Sequence, residues 1–235
     1  MSTSHTEYLQ KLENQASSHA REDFYLWPRT PVKADLQEEI VKRVGVADLY
    51  PSVEHSRPAR IIRMVNTLLC DRLISDNFSL IDFPCGDAIV LWQLKKAFPL
   101  ADCYGVDCNK DIYATHSMVK HDGVILYRAF LQHLFRSNPS QPFDLALMLN
   151  TYRGWEYAEL RDDEKNLPVL ADTWLAKNAK FAVVTATETQ IHRLRSLGFM
   201  TIEMGKGEDD SKMVCISRCY SDYYSGVEST DFIAS

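Results

Sequence analysis

In the stretch LIDFPCGDAIVLW, residues 80–92, an apolar segment runs into Asp82, turns at Gly86 and continues as an amphipathic pattern. Gly86 offers bare backbone at the tip of that turn, where a ligand can approach without meeting a Cβ. About 25 residues beyond Asp82, the segment YGVD ends in Asp107. An acid at the end of a second strand can accept both hydroxyls of a ribose. The two positions together describe a nucleoside crevice at the carboxyl edge of a sheet. Taken separately, they also suit a turn glycine and a strand-end cap. A pyrophosphate is a poor partner for this turn, because Asp87 sets a carboxylate at the start of the following helix, in the phosphate's path. A phosphate-free ligand with a cationic centre fits better. S-adenosylmethionine is one: its sulfonium and ammonium are positive and its adenosine carries the ribose.

The pattern along the chain predicts the elements that hold these residues. Residues 1–75 read as a helical cap, in which Tyr8, Leu9, Leu12 and Ala16 share a face. DLQEEIVKRVG predicts a second helix stopped by Gly45, and SRPARIIRMVNTLLCDRLI a third with Pro58 in its first turn. From residue 76 to 219, short apolar runs alternate with helical ones. FSLIDF, CYGVD, VILYR, DLALMLN and FAVVTA suit parallel strands covered on both faces. Helices are expected over 87–98, 110–119, 162–175 and 188–197, the last stopped by Gly198. FMTIEM and KMVCISR alternate about a polar GKGEDDS turn, a hairpin signal. Residues 220–235 form a polar tail with aromatics.

Composition narrows the classes. Hydrophobic residues make up 46% and charged residues 25%, as in an ordinary globular domain. A net charge of −6 argues against a nucleic-acid partner. The six cysteines form no CxxC pair and the seven histidines no HExxH, so no metal site is expected. No run spans a membrane and the N-terminus lacks an apolar leader core, which predicts a cytoplasmic protein with reduced thiols.

The turn DFPCGDA, the acid Asp107 and the closing segments LGFMTIEM and KMVCISR resemble the class I S-adenosylmethionine-dependent methyltransferases over residues 78–217. The resemblance implies an α/β, Rossmann-like fold: a mostly parallel seven-stranded sheet with a C-terminal antiparallel hairpin strand and an N-terminal helical cap. It assigns Asp82, Cys85 and Gly86, beside Asp87, to the methionine part of the cofactor and Asp107 to the ribose. Cys108 would flank the adenine, and Phe130 and Leu131 of RAFLQ would hold it by packing and backbone contacts. The chain departs from the family pattern at Ala88, where a glycine is usual, and lacks the acid often found beside the adenine.

The same resemblance turns the end of the fourth strand, NTYRGWEY, toward the sulfonium and the acceptor. Asn150 and Tyr152 are then the catalytic candidates, because their oxygens can accept hydrogen bonds from an amine and orient its lone pair. Tyr152 and Trp155 equally suit packing beneath a loop. In DFYLWPRTP, Tyr25 and Trp27 (with Phe24) offer aromatic faces to a cation, and Arg57 and Arg60 could meet a carboxylate or simply form a solvated helix face. Three functions stay open. The first is methyl transfer to nitrogen or oxygen of a small molecule. The second is ring closure, as in azetidine-2-carboxylate synthases, in which the α-amine of S-adenosylmethionine attacks its own Cγ and releases methylthioadenosine. The third is a non-catalytic binding partner. The oligomeric state is not encoded in these signals.

Overall fold

The computed structural model describes residues 3–18, 57–86, 88–108, 123–149, 151, 166–206 and 211–217. Each apolar run singled out above forms a strand: β1 (Ser79–Asp82), β2 (Asp102–Asp107), β3 (Val124–Arg128), β4 (Phe143–Met148), β5 (Ala179–Ala186), β6 (Met200–Lys206) and β7 (Lys212–Ser217). They make one seven-stranded sheet, as the sequence predicts, in the order β3-β2-β1-β4-β5-β7-β6. The first five strands are parallel, and β7 runs antiparallel between β5 and β6.

Both faces of the central strands are buried, which is why those strands are largely apolar, whereas the edge strand β6 is mostly exposed. Ile81, Tyr104, Val106, Ala146, Met148, Ala182 and Val184 supply one face. Leu80, Cys103, Leu145, Leu147, Phe181 and Val183 supply the other. The first face is covered by α1 (Thr3–Ser18), which inserts Tyr8, Leu9 and Leu12, and by three later helices. The second carries α2 (Arg57–Cys70), through Ile61, Val65 and Leu68, and α3 (Ile89–Ala97), through Leu91 and Leu94. The later helices of the first face are α4 (Leu131–Phe135), α5 (Leu167–Asn178) and α6 (Glu188–Ser196). The helix α4 was not expected; the others begin or end within a few residues of their predicted bounds. At the end of α6, Gly198 adopts φ 84°, the stop its position predicts. The helices expected over DLQEEIVKRVG and 110–119, and the tail 220–235, lie outside the described residues.

The chain leaves β1 toward β2 and β3, then returns across β1 to reach β4. This reversal opens a crevice at the carboxyl ends of β1 and β4, the place where such sheets bind ligands. Two described helices meet the same edge. His5 Nε2 lies 3.0 Å from the Gln141 carbonyl, just before β4, and Glu13 Oε1 lies 3.1 Å from the Arg128 amide, at the end of β3. So α1 climbs from the amino edge of the sheet to its carboxyl edge. The first turn of α2 is there too, since Arg60 donates to the carbonyl of Lys206 at the end of β6.

Candidate functional site

The turn after β1 is built by backbone hydrogen bonds to its neighbours. Phe83 N–H donates to Leu147 O of β4 at 3.0 Å, and Cys85 N–H to Val106 O of β2 at 3.0 Å. The Cys85 carbonyl accepts Ala88 N–H at 2.8 Å. The Cys85 side chain belongs to the core: it is 8% exposed, and its sulfur fills space above Gly105. A Cβ on Gly105 would stand 3.0 Å from that sulfur and 2.6 Å from Leu126 Cδ2, so β2 has a glycine at this position because the turn above it has a cysteine. Cys85 therefore shapes the turn with its side chain in the core.

Gly86 stands at the tip with φ +52°, and a Cβ added there would meet no atom of the described residues within 4 Å. Its N–H donates to Asp107 Oδ2 at 2.9 Å, although the two residues are 21 apart in sequence. The glycine and the acid thus sit side by side, with open space on the glycine's outer side. Asp107 is buried, as is Asp82 at the end of β1. The backbone of Asp107 reaches the other way: its carbonyl accepts Ala129 N–H at 3.1 Å, which draws in the loop after β3. One residue therefore touches both loops that border the crevice.

Other expected positions fall into place around it. Phe130 precedes α4, its carbonyl accepts the amides of His133 and Leu134, and its ring packs edge-on against His133 at 5.6 Å. The Leu131 side chain is in the core cluster, so only its backbone faces the loop. Cys108 is partly exposed, yet burial, helped by the Asp107 charge, pushes its thiol up to about 12. Such a shift disfavours the thiolate, the form in which a cysteine attacks. Arg60 is engaged by the Lys206 carbonyl, and Arg57 opens α2 at the same edge. Asp87, Asn150, Tyr152, Trp155, Tyr25 and Trp27 lie outside the described residues; Thr151, between two of them, is buried.

Two features escaped the sequence. Ala88 takes φ 55°, so the backbone keeps a left-handed conformation in which an L residue is strained. The other is the pair formed by Glu13 and the Arg128 amide, which joins residues 115 apart. No motif announces the pair, and the first shows only as the glycine that the family pattern has at position 88.

No protein-family model matches this sequence, and no curated protein matches it. Solved structures do. WbdD in complex with the kinase inhibitor LY294002 superposes with a TM-score of 0.53 at 11% identity, over 77% of this chain and 47% of that one. Monomeric WbdD gives 0.51 at 13% identity, over 67% and 40%. The chain thus spans less than half the length of these WbdD chains. The methyltransferase domain of bacterial CtHen1-CN gives 0.47 at 13% identity, over 67% and 97%. Strand order and the antiparallel β7 decide the architecture. The chain has the Rossmann-like methyltransferase fold. Among the described residues no His, Cys, Asp or Glu cluster suits a metal ion, and no helix is long and apolar enough to cross a membrane.

Proposed function

We propose that this chain binds S-adenosylmethionine in the crevice between the 83–88 turn and the end of β2, and transfers its methyl group to nitrogen or oxygen of a small molecule. The observation that carries the reading is the pairing of Gly86, open on its outer side, with the Asp107 carboxylate 2.9 Å away. An ionised carboxylate has about four lone-pair sites, and an acid at the end of a second strand is the group that accepts the hydroxyls of a ribose diol. Buried Asp82 and Asp107 make the crevice electronegative, which suits a ligand carrying sulfonium and ammonium charges. The fold shared with the structural neighbours supports the same reading.

Methyl transfer asks little acid–base chemistry of the protein. The acceptor's lone pair attacks the methyl carbon opposite the sulfur, the C–S bond breaks, and S-adenosylhomocysteine leaves as a neutral thioether. What the chain supplies is in-line placement and exclusion of water. Asn150 and Tyr152 follow β4 in sequence and are the proposed acceptor-orienting residues. Tyr25 and Trp27 belong to the stretch that leaves α1 and enters α2, both of which meet the carboxyl edge. The net charge of −6 favours a small acceptor over a nucleic acid.

Calorimetry tests the cofactor: the purified protein binds S-adenosylmethionine, and Asp107→Ala weakens binding by about tenfold or more. Equal affinity of the two proteins refutes the ribose assignment. Mass spectrometry then tests the reaction. S-adenosylhomocysteine formed only with an added acceptor supports methyl transfer, whereas methylthioadenosine formed from S-adenosylmethionine alone replaces it with ring closure.

A further inference from the structure

Among the described residues the strand β3 ends the sheet, and no described strand lies on its outer edge. In a parallel pair, successive amides point to alternate sides. Ala129 N–H faces inward to the Asp107 carbonyl, so Arg128 N–H faces the open edge. It is met there by a side chain: Glu13 of α1 places Oε1 3.1 Å from it. The helix cannot drift from this position, because Leu9 and Leu12 are fully buried in the core. A second contact lies further along the same segment, where Tyr8 Oη approaches the Leu134 carbonyl at 3.3 Å and Ser137 Oγ at 3.2 Å. α1 therefore grips the 128–137 segment at both ends.

We propose that Glu13 is a positioning residue for the crevice: by holding the Arg128 amide it fixes the Arg128–Leu131 loop, against which the nucleoside lies. The part about the nucleoside rests on the S-adenosylmethionine reading; the ordering of the loop does not. The chain of contacts runs from Glu13 to the end of β3, through Ala129 to Asp107, and from the Asp107 carboxylate to Gly86. Losing its first link frees the loop while the Gly86 turn and the core remain.

Hydrogen exchange of the full, ligand-free chain reads the loop directly. Glu13→Ala keeps a good helix former and speeds exchange in peptides covering 128–131 by about tenfold, the size of one charge-assisted hydrogen bond, with α5 and α6 unchanged. Glu13→Gln retains an acceptor oxygen and stays within about twofold of the parent. Lys11→Ala, on the exposed side of α1, changes nothing. In titrations with S-adenosylmethionine, Glu13→Ala weakens affinity by about three- to tenfold and Glu13→Gln restores it. Unchanged exchange at 128–131 in Glu13→Ala overturns the proposal, as does acceleration spread evenly over the sheet or a failed rescue by glutamine. Should the parent protein not bind S-adenosylmethionine, the cofactor reading falls, and the exchange experiment alone decides the role of Glu13.

Discussion

A single methyl group at position 86 probes the crevice with little disturbance of the fold. Gly86→Ala places a Cβ where φ is +52° and no atom of the described residues lies within 4 Å. The cost to the fold is the left-handed backbone, roughly 1–2 kcal/mol, while the methyl points into the space proposed for the ligand. Thermal melts and calorimetry should therefore separate: a small fall in stability, with affinity for S-adenosylmethionine reduced about tenfold or more beyond it. Unaltered affinity would place the ligand elsewhere. At Ala88 the opposite exchange nearly cancels. Ala88→Gly relieves about 1–2 kcal/mol of strain at φ 55°, but removes a fully buried methyl worth about 0.8 kcal/mol and loosens the unfolded chain by about 0.4–1 kcal/mol. Urea titration should find a net change below about 1 kcal/mol. The adjacency of Gly86 and Asp107 was legible because a turn glycine and a strand-end acid at this separation fall on the ends of neighbouring strands. Ala88 was not, since the rest of the turn imposes its backbone, and Cys85 was legible only as part of a motif, since Gly105, Leu91 and Leu126 decide where its sulfur goes.

Strands were the most legible elements because burial on both faces makes the central ones apolar runs, and the closing pair alternates about a polar turn. α4 is five residues long, too short to show a helical period, and its position follows from contacts with α1 that a sequence window does not contain. The apolar face of α1 could be read from Tyr8, Leu9, Leu12 and Ala16, but the strand beneath it could not. At the amino edge, opposite the crevice, Asp144 joins three strands. Its carboxylate accepts Ser79 N–H at 2.8 Å, Ser79 Oγ–H at 3.1 Å and the Lys180 ammonium at 2.6 Å. Burial pushes this carboxyl up, but the Lys180 and Ser79 donors outweigh it and hold it below the ordinary aspartate value. The folded-state value is thus below the unfolded one. The contribution is present above the unfolded value, about 3.9, and is lost as pH falls through the folded value. Asp144→Asn should lower stability by about 1–2 kcal/mol at pH 7, with the gap to the parent closing toward pH 3 and affinity for S-adenosylmethionine untouched. Urea unfolding at both pH values checks this, and a gap of the same size at each would remove Asp144 from the acid response.

For the molecule as a whole, the proposed ligand contacts come from the ends of three parallel strands, at residues 82–86, 107 and 128–131. These segments are joined by Cys85 to Val106, Gly86 to Asp107 and Ala129 to Asp107, all inside one sheet. A ligand held there is bound by the native sheet and not by the unfolded chain, so occupancy appears as global stability. At a concentration one hundred times its dissociation constant, such a ligand adds about 2.7 kcal/mol. For a chain of 235 residues that corresponds to a rise in Tm of roughly 5–10 °C. S-adenosylmethionine and S-adenosylhomocysteine share the adenosine and the amino-acid end, so both should produce the shift. NAD and ATP bring phosphates to a crevice whose buried acids, Asp82 and Asp107, disfavour them, and should not. A thermal-shift series of the four compounds distinguishes this site from a dinucleotide pocket of the same topology: a rise with NAD and none with S-adenosylhomocysteine would reverse the assignment. With Asp107→Ala in the same series, the shift for both sulfur compounds should shrink together, because they meet that carboxylate through the same ribose.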